Sequence, residues 1–175
     1  MGIIDPQSSA LRDQGDTAAM EQDSVPENVD EIITYILERY HQVHRRELPE
    51  LHALARHVEE AHAGHPAVPA GLSALLERMQ EALESHMQKE EQILFPLMRA
   101  GGHPMIVHPI GMMRHEHDEH GEHLTALAAL TNNMTAPDDA CKSWQALYAG
   151  LAKLVADLNE HIRIENDVLF PRFES

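Results

Sequence analysis

Residues 86–96 read HMQKEEQILFP and residues 161–171 read HIRIENDVLFP, two copies of one pattern. Each copy has a histidine, a glutamate four positions on, and a Leu-Phe-Pro ending: His86, Glu90 and Pro96 in the first, His161, Glu165 and Pro171 in the second. A four-residue step on an α-helix brings both side chains onto one face. The step also continues an apolar stripe: Leu76, Met79, Leu83, His86, Glu90, Ile93 in one segment and Leu151, Leu154, Leu158, His161, Glu165, Val168 in the other. The stripes therefore aim both polar pairs into a helical core. A second pair of motifs, His41-x-x-His44 and His117-x-x-His120, repeats at almost the same separation. The chain reads as one helix–helix unit used twice.

Around these motifs the sequence divides into four helical segments. Ser24-Val25-Pro26-Glu27 supplies a cap, an early proline and a capping-box glutamate, and Ile33, Leu37, Leu48, Leu51, Ala55 and Val58 keep a helical period after it. Pro49 predicts a kink or interruption in this first helix. After a turn at Gly64–Pro69, a second helix runs from about Pro69 to Arg99 with Leu72, Leu76, Met79, Leu83, Ile93 and Leu97 on one stripe. Gly101-Gly102-His103-Pro104 breaks the chain, and His108-Pro109 opens a third helix with Ile110, Met113, Leu124 and Leu127 inward. Thr131–Thr135 close it, and Thr135-Ala136-Pro137-Asp138 repeats the start signal ahead of Leu147, Leu151, Leu154, Leu158 and Val168. Neither a strand alternation nor an Asn-Gly hairpin signal occurs, so residues 24–175 are expected to form an all-α, antiparallel four-helix bundle. Residues 1–23 are polar and aperiodic and read as a flexible N-terminal arm.

Composition narrows the function. Thirteen Lys and Arg face 29 Asp and Glu among 175 residues, a formal charge of −16, which repels phosphate backbones and anionic lipid and argues against nucleic-acid and membrane partners. Cys141 is the single cysteine, so the chain cannot form an internal disulfide, a thiolate zinc site or a cysteine-held cluster. The opening MGIIDPQSSALRDQGD has no signal-peptide core, and no run of about 18 apolar residues suggests a membrane span. Histidine is the anomaly, with 14 in the chain.

A lone carboxylate in a core costs several kcal/mol. Two carboxylates and four imidazoles are tolerable together if cations lie between them. The candidate ligands are therefore His41, His86, Glu90, His117, His161 and Glu165: two bridging glutamates and two histidines for each of two ions. His62 falls on the first helix's stripe but far beyond His41, about 31 Å along a continuous helix, too far to share a metal pair with it unless a break at Pro49 folds the segment back. His44 and His120 lie one turn from the ligands, either supporting them from behind or exposed. His115–Glu119 repeats the four-residue spacing off the stripe and belongs to the surface, while His52, His57, His65, His103, His108 and His123 read as surface or turn residues. Cys141, just ahead of Trp144, reads as a packing residue. Imidazole and carboxylate without thiolate suit iron, manganese or zinc rather than copper(I). Four protein ligands per ion leave iron with a solvent-derived bridge and an open position, able to bind dioxygen or nitric oxide or to release metal. Ferritin-like sites place Glu-x-x-His on two different helices, whereas here Glu38–His41 and Glu59–His62 share one.

The stretches ERYHQVHRRELPEL (38–51), SHMQKEEQILFPLM (85–98), EHDEHGEHL (116–124), TNNMTAPDDACKSW (131–144) and DLNEHIRIENDVLFPR (157–172) resemble the hemerythrin-like repair-of-iron-centres family, the di-iron proteins of iron–sulfur cluster repair. The resemblance runs from about Val29 to Arg172. It implies the same six ligands and two non-haem iron ions with an oxo or hydroxo bridge, zinc or manganese being possible substitutes. It further implies a cytoplasmic protein that restores iron–sulfur clusters damaged by nitrosative or oxidative stress by supplying iron, with damaged or apo iron–sulfur proteins as partners. Oxygen-carrying hemerythrins use an H-x3-H pair, and this sequence has none. Typical members add an N-terminal domain with a cysteine pair, which this chain is expected to lack. That departure gives weight to an alternative, a module that binds or senses nitric oxide or dioxygen, or that reduces nitric oxide, at the open position.

Overall fold

The computed structural model describes residues 25–174, so the arm expected over residues 1–23 and the Ser24 cap lie outside the described residues. Four helical rods form, and no strand occurs among the described residues. Rod α1 joins Val29–Ile36, a π-helical turn Leu37–His41 and Gln42–Ala61. Rod α2 joins Leu72–Lys89, a π turn Glu90–Leu94 and Phe95–Arg99. Rod α3 is Val107–Leu130. Rod α4 joins Lys142–Arg163, a π turn Ile164–Leu169 and a short 3-10 end Phe170–Phe173. Contacts of α1 with α2 and α4, and of α2 with α3, gather the rods into the expected bundle. No described helix is long and apolar enough to cross a membrane.

Local chemistry sets the rod ends, and in two places it differs from the sequence expectation. Asn28 caps α1, its Oδ1 accepting from the Asp30 N–H at 2.8 Å, with Asp30 and Glu31 complementing the helix dipole. Rod α4 begins at Lys142 after an extended Cys141, because the Pro137 signal instead makes a turn closed by the Ala140 N–H on the Pro137 carbonyl at 2.9 Å. Pro49 does not interrupt α1, whose α-helix runs unbroken from Gln42 to Ala61. It is exposed, so the one backbone bond it removes, at the Arg45 carbonyl, is lost on the solvent side, where hydration substitutes. Gly150 in α4 permits close approach to α1: a Cβ there would stand 2.6 Å from Leu51 Cδ2.

Two apolar cores fill the bundle. One, around Leu51, Leu76, Leu83, Trp144, Leu147 and Leu154, occupies the end near the α1–α2 and α3–α4 turns. The other, around Ile33, Ile36, Tyr40, Phe95, Ile110 and Phe170, occupies the opposite end. A layer of buried polar residues separates them.

The π turns at this layer correct the sequence stripes. A π turn holds more residues than an α turn, which rotates everything beyond it. Leu94 and Met98, not Ile93 and Leu97, therefore continue the buried face of α2, and Ile93 is 55% exposed. Leu169 likewise replaces Val168 as the fully buried residue on α4. Ahead of the α1 π turn the buried residues are Ile32, Ile33 and Ile36, and Leu37 is only partly buried. Because the two cores are separate, damage to one is expected to spare the polar layer. Leu147→Ala should destabilise the protein by about 2–5 kcal/mol in chemical denaturation while leaving its metal content unchanged.

Candidate metal centre

All six residues singled out by the repeat converge in the layer between the cores, each 4% exposed or less. α1 supplies His41, α2 supplies His86 and Glu90, α3 supplies His117, and α4 supplies His161 and Glu165. His41 closes its π turn, and Glu90 and Glu165 sit at the starts of theirs, so the irregular turns fall where the side chains must be re-aimed.

The donor atoms form two overlapping groups: His41, Glu90, His161 and Glu165, and His86, Glu90, His117 and Glu165, each within 4.8 Å. All four histidines turn Nε2 inward. His41 and His161 meet Nε2 to Nε2 at 3.2 Å, as do His86 and His117. Each carboxylate divides its oxygens between the groups. Glu90 Oε2 lies 3.4 Å from His41 and its Oε1 3.4 Å from His86. Glu165 Oε1 lies 3.0 Å from His161 and its Oε2 3.0 Å from His117. Phe95 and Phe170, from the two Leu-Phe-Pro tails, stack on His41 and His117 and floor the layer.

Protein hydrogen bonds do not satisfy this cluster. Both Glu90 oxygens and Glu165 Oε2 are buried without a well-formed partner among the described residues. Burial and the nearby Glu165 charge push the Glu90 carboxyl up to about 8. Burial opposes charge on His41, but its contacts with Glu90 and Glu91 prevail and raise it to about 9. Burial drives His86 and His161 the other way, toward the neutral form. Facing imidazole nitrogens beside two buried carboxylates are a donor set complementary to cations, and the cluster fits a metal site.

The outer contacts were not legible as such in the sequence. His41 Nδ1 meets Glu91 at 2.8 Å, His86 Nδ1 meets Glu116 at 3.0 Å, and His117 Nδ1 meets Asn166 at 3.0 Å. Each partner adjoins a candidate ligand in sequence, the one signal that could have exposed them. The alternatives left open for His44 and His120 resolve to burial. His44 stacks on His161 at 5.5 Å between ring centroids, and His120 meets His86 edge-on at 5.0 Å. Burial pushes the His44 imidazole down to about 3 and that of His120 to about 4, so both are neutral. His115 is 70% exposed and faces Glu119 at 3.7 Å, outside the cluster. His62 lies at the far end of α1, where its Nε2 stands 3.1 Å from Cys141 Sγ and its ring packs on Trp144.

Comparison with known proteins agrees with this geometry. The Hemerythrin HHE cation binding domain matches residues 32–173, which contain all six convergent side chains. The iron-sulfur cluster repair protein YtfE of Edwardsiella ictaluri is 48% identical over 144 residues, 82% of this chain and 65% of the relative. The YtfE proteins of Escherichia coli O1:K1 / APEC and of Escherichia fergusonii are each 51% identical over 142 residues, 81% of this chain and 64% of theirs. The chain thus spans slightly under two thirds of the length of these relatives. A match running from α1 to the end of α4, over a bundle that carries a buried histidine–glutamate cluster, places the chain in the hemerythrin HHE cation-binding domain family.

Proposed function

We propose that His41, His86, Glu90, His117, His161 and Glu165 hold two non-haem iron ions, and that the chain uses them in repairing damaged iron–sulfur clusters by supplying iron. The observation that carries the metal assignment is the division of oxygens: each glutamate offers one oxygen to each histidine pair, the arrangement of a bridging carboxylate. The donor chemistry suits iron, with zinc and manganese as competitors. The repair role is supported by the relatives, which are iron-sulfur cluster repair proteins, and by this site together. Damaged or apo iron–sulfur proteins would be the recipients, in the cytoplasm.

Bound iron would supply redox and Lewis-acid chemistry. The chain's residues have the remaining tasks. Glu90 and Glu165 would offset half of the positive charge of a diferrous pair, and with His41 they are the ligands carried on π turns. Phe95, Phe170 and Tyr40 shield the imidazoles from water on one side. His44 and His120 stay neutral beside the cluster and add no positive charge to it.

Elemental analysis after anaerobic ferrous loading should give about two irons per chain, the number the paired donor groups define. Glu90→Leu and Glu165→Leu should each lose most of that metal, whereas His115→Ala should retain both ions. Retention of two irons by the glutamate variants would refute the ligand assignment. Ligands must shed protons to bind metal, and Glu90, His41 and His117 are all shifted toward their protonated forms. Loading at pH 7 should therefore release protons, measured by pH-stat, and affinity should rise as pH climbs through 7 to 9. Incubating the loaded chain anaerobically with an apo iron–sulfur enzyme, sulfide and thiol should restore enzyme activity faster than the same dose of free ferrous ion. No gain over free iron would count against donation, and stoichiometric nitric oxide binding without iron transfer would favour the sensing alternative.

A further inference from the structure

The two halves of the repeat are not equivalent behind the histidines. A hydrogen-bond acceptor on Nδ1–H fixes the tautomer whose Nε2 lone pair faces the ion, and it makes that nitrogen a stronger donor. Three of the four rings have such a partner, and each partner is itself held by a cation. Glu91, on His41, receives Arg45 at 2.7 Å. Glu116, on His86, receives Lys89 at 2.6 Å. Asn166, on His117, receives Arg114 at 3.2 Å. His161 is the exception: its Nδ1 is buried with no partner among the described residues.

The repeat locates the cause. Glu91 and Asn166 occupy matching positions, each directly after the glutamate of its copy, so His41 and His117 are supported alike. Glu116 directly precedes His117, and the residue in that place before the matching His41 is Tyr40. Lys89 directly precedes Glu90, and the residue in that place before the matching Glu165 is Ile164. The first half therefore offers His161 a ring in place of a carboxylate. Tyr40 stacks flat on it, 5.3 Å between centroids and 5° between planes, which positions the imidazole but gives Nδ1–H no acceptor. His161 Nε2 lies 3.0 Å from Glu165 Oε1, a contact the opposite tautomer makes as a donor and must give up to ligate.

We propose that the two ions are held unequally, that the ion between His41 and His161 is the labile one, and that Glu116 and Tyr40 are the positioning residues that set the difference. The inference rests on the two-ion reading above and specifies which ion that reading would deliver first. Losing one such outer partner typically weakens metal binding by about 10–100-fold.

The test is chelation of the fully loaded diferrous chain by excess ferrozine under anaerobic conditions, followed by absorbance, with iron-edge anomalous diffraction from crystals stripped of half their iron. Two equal release phases are expected, differing in rate by about 10–100-fold, with the retained anomalous peak between His86 and His117. Glu116→Ala should accelerate the slow phase toward the fast one, and Glu91→Ala should accelerate only the fast phase. A single release rate, a retained peak between His41 and His161, or a slow phase indifferent to Glu116→Ala would overturn the inference while leaving a doubly loaded site intact. A chain that never takes up two ions would overturn the two-ion reading itself, and this inference with it.

Discussion

Two carboxylates, Glu90 and Glu165, are wholly buried beside four imidazoles, and everything else in the bundle is arranged around that concentration of polar groups. In a protein interior an uncompensated charge costs several kcal/mol, and facing nitrogen lone pairs repel. Cations between the groups convert both liabilities into bonds. The layer also explains why the interior is built as two apolar cores rather than one. Leucines and Trp144 fill one side, aromatic and isoleucine side chains the other, and the polar layer is closed off between them.

The helix irregularities serve the same constraint. A regular α-helix cannot keep His86, Glu90 and the residues beyond them on one unbroken inward face while Phe95 also reaches under His41. The π turns at Leu37–His41, Glu90–Leu94 and Ile164–Leu169 supply the needed rotation, and all three lie at the layer. They break the regular hydrogen-bond ladder at the residues whose side chains form the cluster. Support from outside runs through charged networks at the bundle surface, Arg45 on Glu91 and Lys89 on Glu116, linking exposed side chains to the buried rings.

Much of this was legible in the sequence. The bundle followed from periodicity and breakers, and the six convergent residues followed from repeat spacing because a histidine and glutamate four apart on an apolar stripe have only the core to point into. The stripes failed at Ile93 and Val168, since a fixed helical period cannot register a π turn. Pro49 does not interrupt its helix because a proline's cost depends on whether the freed carbonyl faces water, which sequence alone does not reveal. The Pro137 signal marked a turn several residues ahead of the helix it preceded. The partners on Nδ1 were hidden for a different reason: Glu91, Glu116 and Asn166 look like ordinary surface residues until the bundle brings them against the back of a neighbouring rod's histidine.

The most direct test of the central claim, that this layer is built around two metal ions, is iron-edge anomalous diffraction from crystals of the ferrous-loaded chain. The account predicts two peaks, one between His41 and His161 and one between His86 and His117, each also bounded by an oxygen of Glu90 and an oxygen of Glu165. One peak shared among all four histidines, or iron found only outside this layer, would contradict it.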